Sequence, residues 1–198
     1  LSILPPAIHQ WTQHYPDIAC ELSSAHSREL TQNLLMREID VALTLQRPDH
    51  PGLTAQALAE GVLVVLAPAN YWPADTVGRP LALMDLADAP LIGLSSADPL
   101  AARLDSYLEA VEPAPRIRIA VQTYSLARAM VESGAGLAVI DPFTALGAST
   151  ATTRIRPLAP ALPITLYAVT RAHEAPAHTL GSLLHIVSNI ARQALARL

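Results

Sequence analysis

Residues 121–146 read VQTYSLARAMVESGAGLAVIDPFTAL, and this stretch decides the fold class. Ser125 is a good N-cap for a helix that carries Leu126, Ala129 and Met130, and Gly134 is a good C-terminal stop. Residues 137–140 are apolar throughout and read as a buried strand. Just upstream, Ile117, Ile119 and Val121 alternate with Arg116, Arg118 and Gln122, the pattern of a half-exposed strand. Strand, helix, strand within 25 or so residues is the unit of an α/β fold.

The same alternation runs outward in both directions. Upstream, Leu91 to Leu94 is a strand, and Asp98-Pro99 is a cap and first-turn pair before a helix striped by Leu100, Leu104, Tyr107, Leu108 and Val111. Near the start, Pro5-Pro6 suits a first helical turn, and Leu4, Ile8, Trp11 and Tyr15 form one apolar face. Tyr15-Pro16 ends that helix. Residues 18–22 read as a short apolar strand, which would make Cys20 a buried structural thiol. Ser27 is the expected cap of a helix carrying Leu30, Leu34 and Leu35. Residues 40–44, 53–58 and 62–66 read as strands, the last two split by Glu60-Gly61. Downstream, 164–170 is a final strand, and Leu180, Leu183, Leu184, Val187 and Ile190 mark a long amphipathic helix. Largely parallel sheets with right-handed crossovers are expected.

Composition narrows the function. Of 198 residues, 51% are hydrophobic and 15% charged, which excludes a disordered chain. The net charge of −4, with no Lys/Arg run, offers no footprint for a phosphate backbone, so this chain by itself is not expected to bind nucleic acid. A single cysteine forbids an internal disulfide and fits a reducing cytoplasm. No apolar run approaches the roughly 18 residues of a membrane span. No basic-then-apolar leader opens the chain, which starts at Leu1 and reads as a trimmed or partial sequence. The seven histidines show neither a His-x-x-x-His pair with a carboxylate nor a Cys partner at zinc spacing, so no metal is expected. There is no Gly-x-Ser-x-Gly elbow, P-loop or Gly-x-Gly-x-x-Gly; no cofactor and no enzyme activity are expected.

The phrases ILPPAIHQWTQHYPDIACEL, LLMREIDVALT, PGLTAQALAEGVLVVLAP, LALMDLADAPLIGLS and VQTYSLARAMVESGAGLAVIDPFTAL, in this order and spacing, resemble the effector-binding domain of LysR-type transcription regulators over nearly the whole chain. The resemblance implies two Rossmann-like α/β lobes joined by two crossovers, of type 2 periplasmic-binding-protein kind. Lobe one would hold 1–69 and 162–198, and lobe two 70–161, with 68–80 as the passage between them. It also implies a small effector in the cleft, a dimer of this domain, a tetramer of the full protein, and DNA contact only through a preceding helix-turn-helix domain. That domain, and the first strand of lobe one, would lie upstream of Leu1. A periplasmic solute-binding protein of the same architecture is the alternative, and a signal peptide upstream would mark it.

In such a fold, ligands lie beyond the carboxyl ends of the strands, where helix N-termini converge and suit a carboxylate. The candidates are Ser2, Thr44, Ser96, Thr123, Ser125, Asp141 and Phe143. Each hydroxyl also reads as a helix cap or turn residue, and Asp141 as the cap of a short helix begun by Pro142-Phe143-Thr144. The phrase VIDPFTAL looks like the family branch that senses amino acids and their opine or diamino acid relatives, with Asp141 facing the ligand's cationic nitrogen.

Overall fold

The structure is a computed structural model, and it describes residues 2–73, 76, 78–94, 99–109 and 111–198; the side chains of Pro99 and Leu100 lie outside that description. Two compact units are formed. A central unit holds Leu1–Ser2, Gly61–Pro163 and Arg197–Leu198, and a terminal unit holds Ile3–Glu60 and Ile164–Ala196. Residues 61–69, and the described residues of the Pro-rich passage 68–80, therefore belong to the central unit.

In the terminal unit, α1 (Leu4–His14) starts with Pro5 and Pro6 in its first turn, where their missing N–H groups cost no hydrogen bond. It buries Ala7 and Trp11 against α6 (His178–Leu195), and the Trp11 Nε1–H donates to Thr179 O at 2.8 Å. Helix α2 (Ser27–Leu35) buries Leu34 with Ala42, Leu53 and Val169. Those last three come from β1 (Ala42–Thr44), β2 (Leu53–Val62) and β9 (Pro163–Arg171), whose sheet order is β1-β9-β2. Arg171 Nη1 donates to the carbonyls of Leu34 and Ile39 at 3.1 and 2.8 Å, satisfying acceptors at and beyond the end of α2. Its Nε reaches Glu174 at 2.7 Å, and Arg37 reaches the other oxygen of the same carboxylate.

The central unit contains β3 (Val64–Pro68), β4 (Leu81–Ala82), β5 (Pro90–Leu94), α3 (Pro99–Glu109), β6 (Arg116–Val121), α4 (Tyr124–Glu132), β7 (Ala138–Ile140), α5 (Pro142–Ala145) and β8 (Thr153–Ala159). One sheet runs β4-β8-β3-β7 and a second pairs β5 with β6; a bridge from Leu91 to Leu137 joins them. Val64, Leu66, Ile92, Val121, Ala127, Val131, Ala138 and Ile140 make its core.

Several expectations need correcting. The sheets are mixed: β3 runs antiparallel to both β7 and β8, and β1 to β9, while β4–β8 and β5–β6 are parallel. The cause is the chain path. The outgoing strand and the returning strand lie side by side, tied where Leu63 N–H donates to Leu162 O at 2.9 Å. Residues 18–22 form no strand; no described strand pairs with them, so both faces are open, and Ile18, Leu22 and Cys20 are exposed. Ser27 is the first residue of α2 and not its cap; His26 holds the cap position, with no side-chain bond. Strand β8, which the sequence pattern does not mark, is the inner neighbour of β3. Its Arg156 is buried because Nε and Nη2 donate to the carbonyls of Arg79 and Pro80, and its guanidinium lies 5.1 Å from the centroid of the Trp72 ring. The Asp98 cap lies outside the described residues.

Candidate functional site

The candidate residues of the central unit gather around two helix starts. Helix α4 is capped by Thr123, whose Oγ1 accepts from the Leu126 N–H at 3.2 Å; Ser125, the expected cap, stands one residue inside the helix. Thr123 and Ser125 are both exposed. Because the Thr123 oxygen acts as acceptor in the cap, its own proton stays available to another partner.

Helix α5 is capped by Asp141, whose Oδ1 accepts from the Thr144 N–H at 2.8 Å. Asp141 is fully buried, and its Oδ2 has no hydrogen-bond partner among the described residues. Burial pushes the carboxyl above the usual aspartate range, while the bonds from Thr144 pull the other way without cancelling it. Phe143 is also fully buried, so its ring belongs to the interior and its backbone carbonyl is the part that meets a neighbour.

That neighbour is Ser2. Its N–H donates to Phe143 O at 3.0 Å, and its Oγ donates to Thr144 O at 3.3 Å. Arg128, on α4, donates from Nη1 to the Ser2 Oγ at 2.8 Å. Its Nε lies 3.8 Å from a Glu132 oxygen, and the other Glu132 oxygen accepts from Ser149 N–H at 3.0 Å. Ser2, Asp141 and Phe143 are thus brought together through Thr144, with Arg128 beside them. Sequence reasoning missed Arg128 and Thr144. Arg128 looks like any charged residue on an amphipathic helix, and Thr144 carries no signal beyond its place three residues after Asp141.

Thr44 belongs to the terminal unit. It is half-buried, and its Oγ1 donates to Gln46 O at 2.6 Å. Ser96 lies outside the described residues. Among the described residues, no group of three or more His, Cys, Asp or Glu could hold a metal, and no helix is long and apolar enough to cross a membrane.

The family model of the LysR substrate binding domain matches residues 1–189. The chain belongs to that family. The regulator DgcR of a Pseudoalteromonas species is 27% identical over 186 residues, which are 94% of this chain and 63% of that protein. The regulatory protein NocR of Agrobacterium tumefaciens strain T37 is 25% identical over 145 residues, 73% of this chain and 48% of that protein. The chain therefore spans about half to two thirds of the length of these relatives. Among solved structures, the OxyR C206 mutant of Corynebacterium glutamicum superposes with a TM-score of 0.77 at 18% identity, covering 99% of this chain and 62% of that one. The BenM effector-binding domain with benzoate superposes with a TM-score of 0.74 at 21% identity, covering 95% and 85%. These likenesses establish the fold: the α/β architecture of LysR effector-binding domains, of type 2 periplasmic-binding-protein kind. The family and its named relatives are regulators and not enzymes, in line with the sequence reading.

Proposed function

We propose that this chain is the effector-sensing domain of a LysR-type DNA-binding regulator, and that its effector is an amino acid or a relative with a carboxylate and a cationic nitrogen. The observation that carries the ligand reading is Asp141, a buried carboxylate with one oxygen capped and the other without a described partner. A buried carboxylate of this kind is stabilised by an arriving ammonium or guanidinium. In the same unit, α4 presents its N-terminus with the Thr123 and Ser125 hydroxyls, a suitable partner for the ligand's carboxylate. An acidic chain does not concentrate anions by its overall field, so this local hold is what a carboxylate needs. Ser2, Thr44 and Ser96 complete the proposed contacts by resemblance alone.

In this reading the full protein works in the cytoplasm, is built from dimers of this domain into a tetramer, and meets DNA through a preceding helix-turn-helix domain. The periplasmic alternative is not favoured by the family match. A second ligand reading, a plain carboxylate, is favoured by one neighbour: the BenM domain was solved with benzoate.

Thermal-shift and calorimetric titration of the chain with L-arginine and with benzoate separates the two. Tight binding of L-arginine, weakened by about 1–3 kcal/mol in Asp141→Asn, supports the amino-acid reading. Binding of benzoate but not of L-arginine replaces it with the plain-carboxylate reading.

A further inference from the structure

Ser2 has one proton to give and two acceptor positions. Arg128 Nη1 fills one acceptor position at 2.8 Å, so the Ser2 proton points away from the guanidinium. Its partner there is Thr144 O at 3.3 Å, a long contact for a hydroxyl donor. The serine is held hard by its backbone N–H and by a cation, while its proton is held loosely. A hydroxyl that accepts from a guanidinium is also a stronger donor, because the two bonds polarise one another.

Gly147 makes this arrangement fit. A Cβ at that position would overlap both the Ser2 Oγ and the Arg128 Nη1. Its backbone is not in the left-handed region, so the glycine is needed there for space and not for conformation. Glu132 supports Arg128 from the other side and is itself fixed by Ser149. Two separate stretches of chain, 128–132 and 143–149, converge on the polarised hydroxyl of Ser2.

We propose that Arg128 is a positioning residue for effector recognition: it fixes Ser2 so that the Ser2 proton is delivered to an anionic oxygen of the ligand, with Gly147 supplying the space. The identity of the ligand rests on the reading above; the hold on Ser2 does not. On binding, the Ser2 proton leaves Thr144 O for the ligand's carboxylate oxygen, and no covalent bond changes. Arg128 itself stays on Ser2, and its charge reaches the ligand through the hydroxyl.

The test uses the purified chain with Arg128→Gln, Arg128→Lys, Gly147→Ala and Ser2→Ala. The ligand probe is L-arginine with L-argininamide as its carboxylate-free partner, or benzoate with benzamide if benzoate is the compound that binds. Arg128→Gln and Gly147→Ala are expected to weaken the carboxylate member by about tenfold and to leave the amide member unchanged, with Arg128→Lys partly restored. Equal losses for both members show a merely structural role and overturn the proposal, as does unchanged affinity. If the wild-type chain binds neither acid, the function proposed above fails and the role in recognition fails with it, and exchange of the Ser2 amide proton then tests only the hold on Ser2. Faster exchange at Ser2 in Gly147→Ala, with Val65 and Val139 unchanged, supports the hold; an unchanged Ser2 rate refutes it. Should Gly147→Ala not fold, Ser2→Ala carries the affinity comparison and Arg128→Gln the exchange comparison.

Discussion

Helices α4 and α5 both begin under a side-chain cap, yet the two caps stand in opposite surroundings. Thr123 on α4 is exposed and retains a proton; Asp141 on α5 is buried and retains a lone oxygen. The same local device therefore leaves different chemistry behind. Water can serve the leftover group of Thr123 at all times. Nothing among the described residues serves that of Asp141, so its environment sets its charge. A cap is therefore a full structural explanation on the surface and an incomplete one in the interior.

Substitutions at four positions test this contrast. Phe143→Ala empties a fully buried position in α5 and should cost about 3–5 kcal/mol in urea unfolding. A loss below about 1 kcal/mol would mean that α5 is not part of the interior. Asp141→Asn tests the charge. The folded carboxyl sits above its unfolded value, so the wild type is favoured at low pH and loses stability as pH rises past the unfolded aspartate range, near 3.9. Asn does not titrate, so the variant should gain on the wild type as pH rises above about 4, as read by melting temperature. A constant difference across that range would show that the carboxyl is well solvated after all.

On the other cap, Thr123→Ala should cost about 1 kcal/mol and Thr123→Ser nearly nothing, since serine caps as well. A large loss with serine would assign Thr123 a packing role that its exposure does not suggest. Ser125→Ala, exposed and inside the first turn, should move stability by less than about 0.5 kcal/mol. A loss of effector affinity there, without loss of stability, would separate binding from capping.

How much of this was legible depended on whether the controlling contact was local. The stripe Leu183–Leu184–Val187 announced α6, because helical period and burial coincide, and Leu4–Ile8–Trp11 announced α1, although of these three only Trp11 is buried, beside Ala7. Residues 137–140 announced β7, because it is buried on both faces. Strand β8 was hidden by Arg154, Arg156 and Pro157, residues that argue against an inner strand. Arg156 is tolerated only through acceptors nearly 80 residues away. The reverse error occurred at 18–22, where apolar residues looked like a strand but have no described partner to cover them. In the candidate site, Asp141 and Thr123 were legible as cap residues next to a helix. The grouping of Ser2 with Arg128 was not, because it spans 126 positions and leaves no periodic trace.

The chain's two tryptophans fall one to each unit. Trp11 is buried in the terminal unit with its indole N–H bonded to Thr179, while Trp72, half-buried in the central unit, lies under the Arg156 guanidinium. Intrinsic fluorescence is therefore a built-in pair of reporters. With Trp11→Phe the emission follows the central unit alone, and with Trp72→Phe the terminal unit alone. Denaturation curves of the two variants that superimpose would mark one cooperative transition; curves that part would mark two.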